Sequence, residues 1–161
     1  MIKKMGVAAS VMLLTVASAH ANIKVDLKGS LLPPVCEVHD GNNGPIEVDF
    51  GDDININRID GKNYKQDINY KLECGDDGQQ WRLRFKFIGI VNSWDNLALV
   101  TSDNNLGIRL MLNDIAVDFN QEIPVDSNNL PKLEAVPVKN AATMPKEGVF
   151  NATANLLAEY Y

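Results

Sequence analysis

The sequence predicts an all-β protein folded as one β-sandwich. Three observations carry this. Short runs of alternating apolar and polar residues recur along the chain, clusters of Gly, Asn, Asp and Pro separate them, and long helical periodicity is absent after the first 21 residues. The chain has 161 residues, a length that one domain fills.

Residues 1–21 read as a secretory signal peptide. Lys3 and Lys4 supply its positive start, Val7 to Val16 form an apolar core broken only by Ser10 and Thr15, and Ala19-His20-Ala21 is a small-x-small cleavage site. The core is too short to span a bilayer, which takes ~20 apolar residues, and no direct membrane insertion is expected. The mature chain then begins at Asn22. Losing Lys3 and Lys4 takes the formal charge from -6 to -8, so nucleic acid and anionic lipid are poor partners. Cys36 and Cys74 are the two cysteines, and an even pair in an exported protein implies one disulfide. Closing that loop stabilises a fold by roughly 3–4 kcal/mol in the chain-entropy picture.

The elements follow in order. Ile23, Val25, Leu27, Gly29 and Leu31 share one parity, with Lys24, Asp26 and Lys28 between them. Pro33-Pro34 interrupts, because proline cannot donate to a ladder, and a strand resumes at Val35 to Val38. Ile46, Val48 and Phe50 alternate with Glu47 and Asp49, and Gly51-Asp52-Asp53 ends that strand. Ile68, Tyr70, Leu72 and Cys74 form a single run. The turn Gly75-Asp76-Asp77-Gly78 follows. Next come Trp81, Leu83, Phe85 and Phe87, then Leu106, Ile108, Leu110 and Leu112. Val117-Asp118-Phe119 reads as a short strand. Leu133 to Val138 reads as another, with Pro137 pointing to an edge or a bulge.

The last fourteen residues hold the clearest pattern. Phe150, Ala152, Ala154, Leu156, Ala158 and Tyr160 are apolar, while Asn151, Thr153, Asn155 and Glu159 are polar. Chain ends fray unless something ties them down, so a strand kept to the final Tyr161 is a structural or recognition element. Gly148, fourteen from the end, and the penultimate Tyr160 resemble the C-terminal motif of pilus subunits assembled by the chaperone–usher pathway. The resemblance implies an incomplete immunoglobulin-like sandwich lacking its seventh strand. A periplasmic chaperone first supplies that strand, and the N-terminal extension of the next subunit later replaces it. Gly148 to Tyr161 would be the strand that both dock on. Antibody domains place a tryptophan between their two cysteines. Here Trp81 follows both, which agrees with the pilin pattern, where the bridge ties early strands together.

By the same resemblance residues 22–35 are the N-terminal extension and 36–161 the pilin domain. An amphipathic strand can also serve its own domain. The donor reading rests on the cleavage site just before it, on the break at Pro33-Pro34, and on Gly29 in the apolar parity of Ile23, Val25, Leu27 and Leu31. The strings around Cys36 and at Val48-Asp49-Phe50-Gly51 look most like minor tip-fibrillum adaptors. A major rod pilin and a base terminator are the alternatives. Expected partners are a periplasmic chaperone, an outer-membrane usher, neighbouring pilins and a tip adhesin. The expected location is a fimbrium on a Gram-negative cell surface, reached through the periplasm.

No enzyme, cofactor or metal is expected. His39-Asp40 suggests a base and its orienter, but no nucleophile motif accompanies it, and a turn-exposed histidine is the reading. Asp53, Asn55 and Asn57 resemble the start of a calcium loop, yet Arg58 stands where glycine belongs and Tyr64 where the bidentate Glu belongs. Arg82, Arg84 and Lys86 form a basic face, read as solvated or as a subunit contact. The rival from another class is a secreted carbohydrate-binding sandwich using Trp94.

Overall fold

Leu83, Phe85 and Phe87 alternate with Arg84 and Lys86, and this two-residue period places three large side chains at 2%, 0% and 1% exposure in the centre of the core. They lie on β4 (Leu83–Ile88). The computed structural model describes residues 24–30, 36–75 and 82–161. The chain forms two units, Met1–Leu31 and Leu32–Tyr161. The expectations for residues 1–23, for 31–35 and for Trp81 lie outside the described residues.

In the first unit, residues 24–30 carry no strand assignment. Val25 is 71% and Leu27 90% exposed.

Among the described residues, the second unit is built from β-strands and one 3-10 turn. A two-stranded sheet pairs β1 (Cys36–His39) with β3 (Lys71–Cys74). A three-stranded sheet has the order β10 (Asn155–Tyr160), β4, β8 (Glu122–Val125). The largest sheet runs β2 (Gln66–Ile68), β9 (Leu133–Lys139), β6 (Leu106–Leu112), β5 (Ala98–Val100), with β7 (Ile115–Ala116) on β6. Every ladder is antiparallel. Phe85, Phe87, Ile108, Leu110, Leu133, Ala135, Ala158 and Tyr160 meet in one cluster.

The cysteines are bridged. Cys36 and Cys74 are directly opposed across β1 and β3, with Cα atoms 4.1 Å apart.

Four expectations change. The run from Ile68 to Cys74 is divided between two sheets: β2 pairs with β9 and β3 with β1. Val117 and Phe119 are in no strand, although they are 2% and 4% exposed and belong to the core. Pro137 is neither on an edge strand nor in a bulge: it lies within β9, an inner strand of its sheet, opposite Ile108. Its missing N–H is tolerated because β2 covers only Leu133 to Ala135 on the other side. Beyond that, the Pro137 carbonyl accepts from the Gly61 N–H at 3.2 Å. The fourth change concerns residues 46–50, which form no ladder.

Loop 53–65 covers the outer face of β9, so Val136 and Val138 are 0% and 5% exposed there. Gly61 sits at φ +78, and a Cβ on it would lie 3.2 Å from Val138 Cγ1. Beside them Glu134, 4% exposed, holds Lys65 at 3.2 Å and Lys132 at 2.7 Å. Lys65 also reaches Asp114 at 2.6 Å, and Lys132 reaches Asp67 at 2.8 Å.

Candidate functional site

Two extended segments each present a backbone edge with no sheet partner among the described residues, and an apolar floor lies between them. The first is residues 45–50. Ile46, Val48 and Phe50 are half-buried, while Glu47 and Asp49 are exposed, the alternation of a strand. Among the described residues, no backbone–backbone hydrogen bond involves them. The second is the C-terminal arm. Its ladder with β4 spans only Asn155 to Tyr160, so the expected strand from Gly148 is shorter than its pattern. β10 ends its sheet, and its second edge has no partner strand among the described residues.

The two segments meet at Phe50 and Phe150, whose ring centroids are 5.8 Å apart. Val48, Phe50, Phe150, Ala154 and Leu156 pack on the core from this side. Ala158 and Tyr160, at 8% and 5% exposure, anchor the far end of the arm. Ala152 is exposed. Phe150 also borders a cavity of about 500 Å3, lined in part by Ile54, Ile56, Leu106, Pro145 and Val149.

Local chemistry fixes the arm's start. The Lys146 N–H donates to Asp103 at 2.6 Å. Hydrogen bonds from the Asn105 and Lys146 backbone N–H groups hold the Asp103 carboxyl below the usual value. The Ser102 N–H donates to the Asn151 carbonyl at 3.0 Å, and the Asn151 N–H returns a bond to Ser102 Oγ at 3.2 Å. Gly148 has φ +139, and a Cβ placed on it would meet nothing within 4 Å. Glycine is therefore required there by backbone conformation, not by crowding. At the other terminus of the arm, the Tyr161 N–H donates to the Arg82 carbonyl at 2.9 Å. The Arg84 guanidinium lies 5.2 Å from the Tyr161 ring centroid.

A strand laid between the two segments would gain hydrogen bonds on both sides and bury every second side chain. That is the chemistry of β-strand addition. The sequence pattern located the C-terminal wall. It also held the second wall, in the alternation of Ile46, Val48 and Phe50, but that alternation reads equally as a paired strand. Of the proposed donor residues, Val25, Leu27 and Gly29 lie in the first unit, and Ile23 and Leu31 lie outside the described residues.

The other candidates dissolve into local structure. His39 is 7% exposed instead of turn-exposed. Its Nδ1 accepts from the Gly41 N–H at 3.1 Å, and its Nε2 lies 3.4 Å from Glu73. Asn55 caps the 3-10 turn Ile56–Arg58, its Oδ1 accepting from the Asn57 N–H at 2.9 Å. Trp94 is half-buried and donates its indole N–H to the Asn104 carbonyl at 2.8 Å. The expected basic face is mixed in charge, because Arg84 pairs with Glu122 at 2.8 Å and Glu159 at 3.2 Å.

The family description "Fimbrial protein" matches residues 25–161. The chain belongs to the fimbrial protein family. This family is structural and not an enzyme class, and its place is the extracellular pilus of Gram-negative cells. Two fimbrial-like proteins of Escherichia coli (strain K12) are similar. YfcQ is 31% identical over 92% of this chain and 95% of its own length. YfcR is 33% identical over 80% of this chain and 74% of its own length. Among solved structures, the P pilus rod subunit PapA superposes with a TM-score of 0.61 at 20% identity, over 86% of this chain and all (100%) of that one. The P pilus adaptor subunit PapF gives 0.56 at 22% identity, over 81% and 98%. This fimbrial subunit thus has the incomplete immunoglobulin-like sandwich of chaperone–usher pilins, one strand short.

Proposed function

We infer that this fimbrial protein polymerises by donor-strand exchange, its open groove being filled first by a periplasmic chaperone and then by the N-terminal extension of another subunit. One observation carries the reading: among the described residues, residues 45–50 and the outer edge of the C-terminal arm have no sheet partner, and apolar side chains of both pack on the core. An open edge of this kind invites pairing and aggregation, so a chaperone must cover it until assembly. Residues 1–21 direct export, residues 22–35 are the donor segment, and an outer-membrane usher receives the loaded subunit.

The energies suffice. Each large aliphatic side chain of Ile23, Val25, Leu27 and Leu31 contributes on the order of 1.5–3 kcal/mol when buried. Each ladder hydrogen bond adds about 0.5–1.5 kcal/mol. A strand given to one neighbour and accepted from another is a head-to-tail contact, which does not close and builds a filament.

Within the fibre we place the chain as a linking, minor subunit behind a tip adhesin, on the strings around Cys36 and Val48 to Gly51. The second reading is a repeating rod subunit, favoured by the superposition on PapA. The test is affinity capture of a tagged full-length chain from the periplasm. Co-purification of a chaperone that a synthetic peptide of residues 22–32 can displace supports donor-strand exchange. A soluble monomer free of any partner contradicts it.

A further inference from the structure

We propose that exposed charges along the groove select its occupant, the acidic pair Glu47 and Asp49 matching Lys24 and Lys28 of a second copy of this chain. The proposal rests on the donor-strand reading above and names the partner and its register.

Both members of the match are in this one sequence. On the groove wall the even residues Ile46, Val48 and Phe50 turn inward, so Glu47 and Asp49 stand exposed on the outer rim. Asp49 Oδ1 accepts from the Gly51 N–H at 2.8 Å, which fixes the carboxylate's place and leaves its second oxygen free to accept from a lysine. In the N-terminal segment the odd residues are the apolar ones. Lys24 and Asp26 meet at 3.2 Å, so they share one side of the segment. Lys28 falls on that side by the two-residue period of a strand. With the odd side chains in the groove, the even ones emerge beside Glu47 and Asp49.

Spacing makes the match selective. Lys24 and Lys28 are about 13 Å apart along a strand, and Glu47 and Asp49 about 7 Å. Only one lysine can face the acidic pair at a time. Asp26 then decides which registers survive. In a parallel alignment, Lys28 opposite Asp49 puts Asp26 opposite Glu47, and Lys24 opposite Glu47 puts Asp26 opposite Asp49. Like charges in such positions are destabilising. Lys28 opposite Glu47, or Lys24 opposite Asp49, avoids the clash. Antiparallel alignment leaves two clash-free registers in the same way: Lys28 opposite Asp49 and Lys24 opposite Glu47. The apolar parity says which face of the donor turns in, and the charges say how far it slides. A subunit that prefers its own donor strand occurs in consecutive copies, so a positive outcome favours the repeating-subunit reading over the linking one.

The test uses the full mature chain, isolated from the periplasm with the chaperone that holds it, and synthetic peptides of residues 22–32. Incorporation is followed by mass spectrometry at low salt. The wild-type peptide should enter about two- to tenfold faster than a Lys24→Glu/Lys28→Glu peptide, the range expected for one or two exposed cross-strand pairs. The Glu47→Lys chain should narrow or reverse that preference. At 1 M salt, where screening acts within ~3 Å, the difference should vanish. The wild-type peptide should also outcompete donor peptides from other pilins of the same fibre. Equal rates for both peptides at low salt, or a win for another pilin's peptide, overturn the proposal and leave donor-strand exchange standing. Failure of every peptide to enter overturns both.

Discussion

Phe50 and Phe150 are a hundred positions apart in sequence, yet their rings lie 5.8 Å apart at centroid with planes inclined by 46°. They join the two groove walls at a point where, among the described residues, neither wall is in a strand ladder. An aromatic pair of this kind adds about 0.5–1.5 kcal/mol beyond area burial. Phe50→Ala and Phe150→Ala should each destabilise the strand-complemented subunit. Their double-mutant cycle should show a coupling of that size in denaturant unfolding. A coupling near zero would mean that the rings merely lie near each other.

The Cys36–Cys74 bridge ties β1 to β3. Replacing both cysteines by serine should cost roughly 3–4 kcal/mol. Thermal unfolding of the chaperone-free, peptide-filled subunit should show a lowered Tm. The loss should be largest when the groove is empty, because the sandwich then lacks a strand as well.

Glu134 is the buried anchor of two lysines, its side chain 5% exposed. Glu134→Ala leaves both lysines without that partner and should lower stability, although Lys65 keeps Asp114 and Lys132 keeps Asp67. Asp114→Asn removes a partner that is 78% exposed and should cost less than the loss of Glu134, because solvent screens an exposed pair. Chemical denaturation of the two variants should reproduce that order.

Asp40, Asp60, Asp103 and Asp114 are all held below the ordinary value of 3.8. Backbone N–H groups do this for the first three: Gly44 then Asn42 for Asp40, Asn63 then Lys62 for Asp60, and Asn105 then Lys146 for Asp103. The Lys65 ammonium does it for Asp114. A depressed carboxylate stabilises the fold above its unfolded value and loses that contribution as pH falls through its folded one. Lys65 and Lys132 are raised above 10.5, mainly by Asp114 and Asp67 respectively. Their contribution is full below 10.5 and is lost as pH rises through the folded values. Stability should therefore be nearly level from about pH 5 to 10. It should fall on the acid side below about pH 4. A maximum near the isoelectric point of 4.8 would contradict this.

The fold class was legible because inward side chains on β4 and β6 keep strict alternation. Phe85 and Ile108 need no context to be assigned to a core. Pairing was less legible. Nothing between Ile68 and Lys71 signals that the chain leaves one sheet for another. β5 and β8 were missed because Ala98–Val100 is three residues long and Glu122–Val125 holds a proline in four. Val117 and Phe119 show that alternation marks burial more reliably than it marks a ladder. The same limit applies at the groove. Residues 46–50 carry a strand's side-chain pattern, but a sequence does not state whether a backbone neighbour exists. At Pro137 the physics ran the other way. A proline in a central strand is permitted where the adjoining strand has ended, and only the register of β2 reveals that.

Backbone amide hydrogen exchange of the full chain, with and without a peptide of residues 22–32, tests the central claim most directly. The account predicts fast exchange at residues 46–50 and 152–154 while the groove is open. It predicts strong protection there once the peptide is in place, with little change at β6 and β9. Amides of 46–50 that are already protected in the absence of any donor, or that stay fast after the peptide has bound, would contradict it.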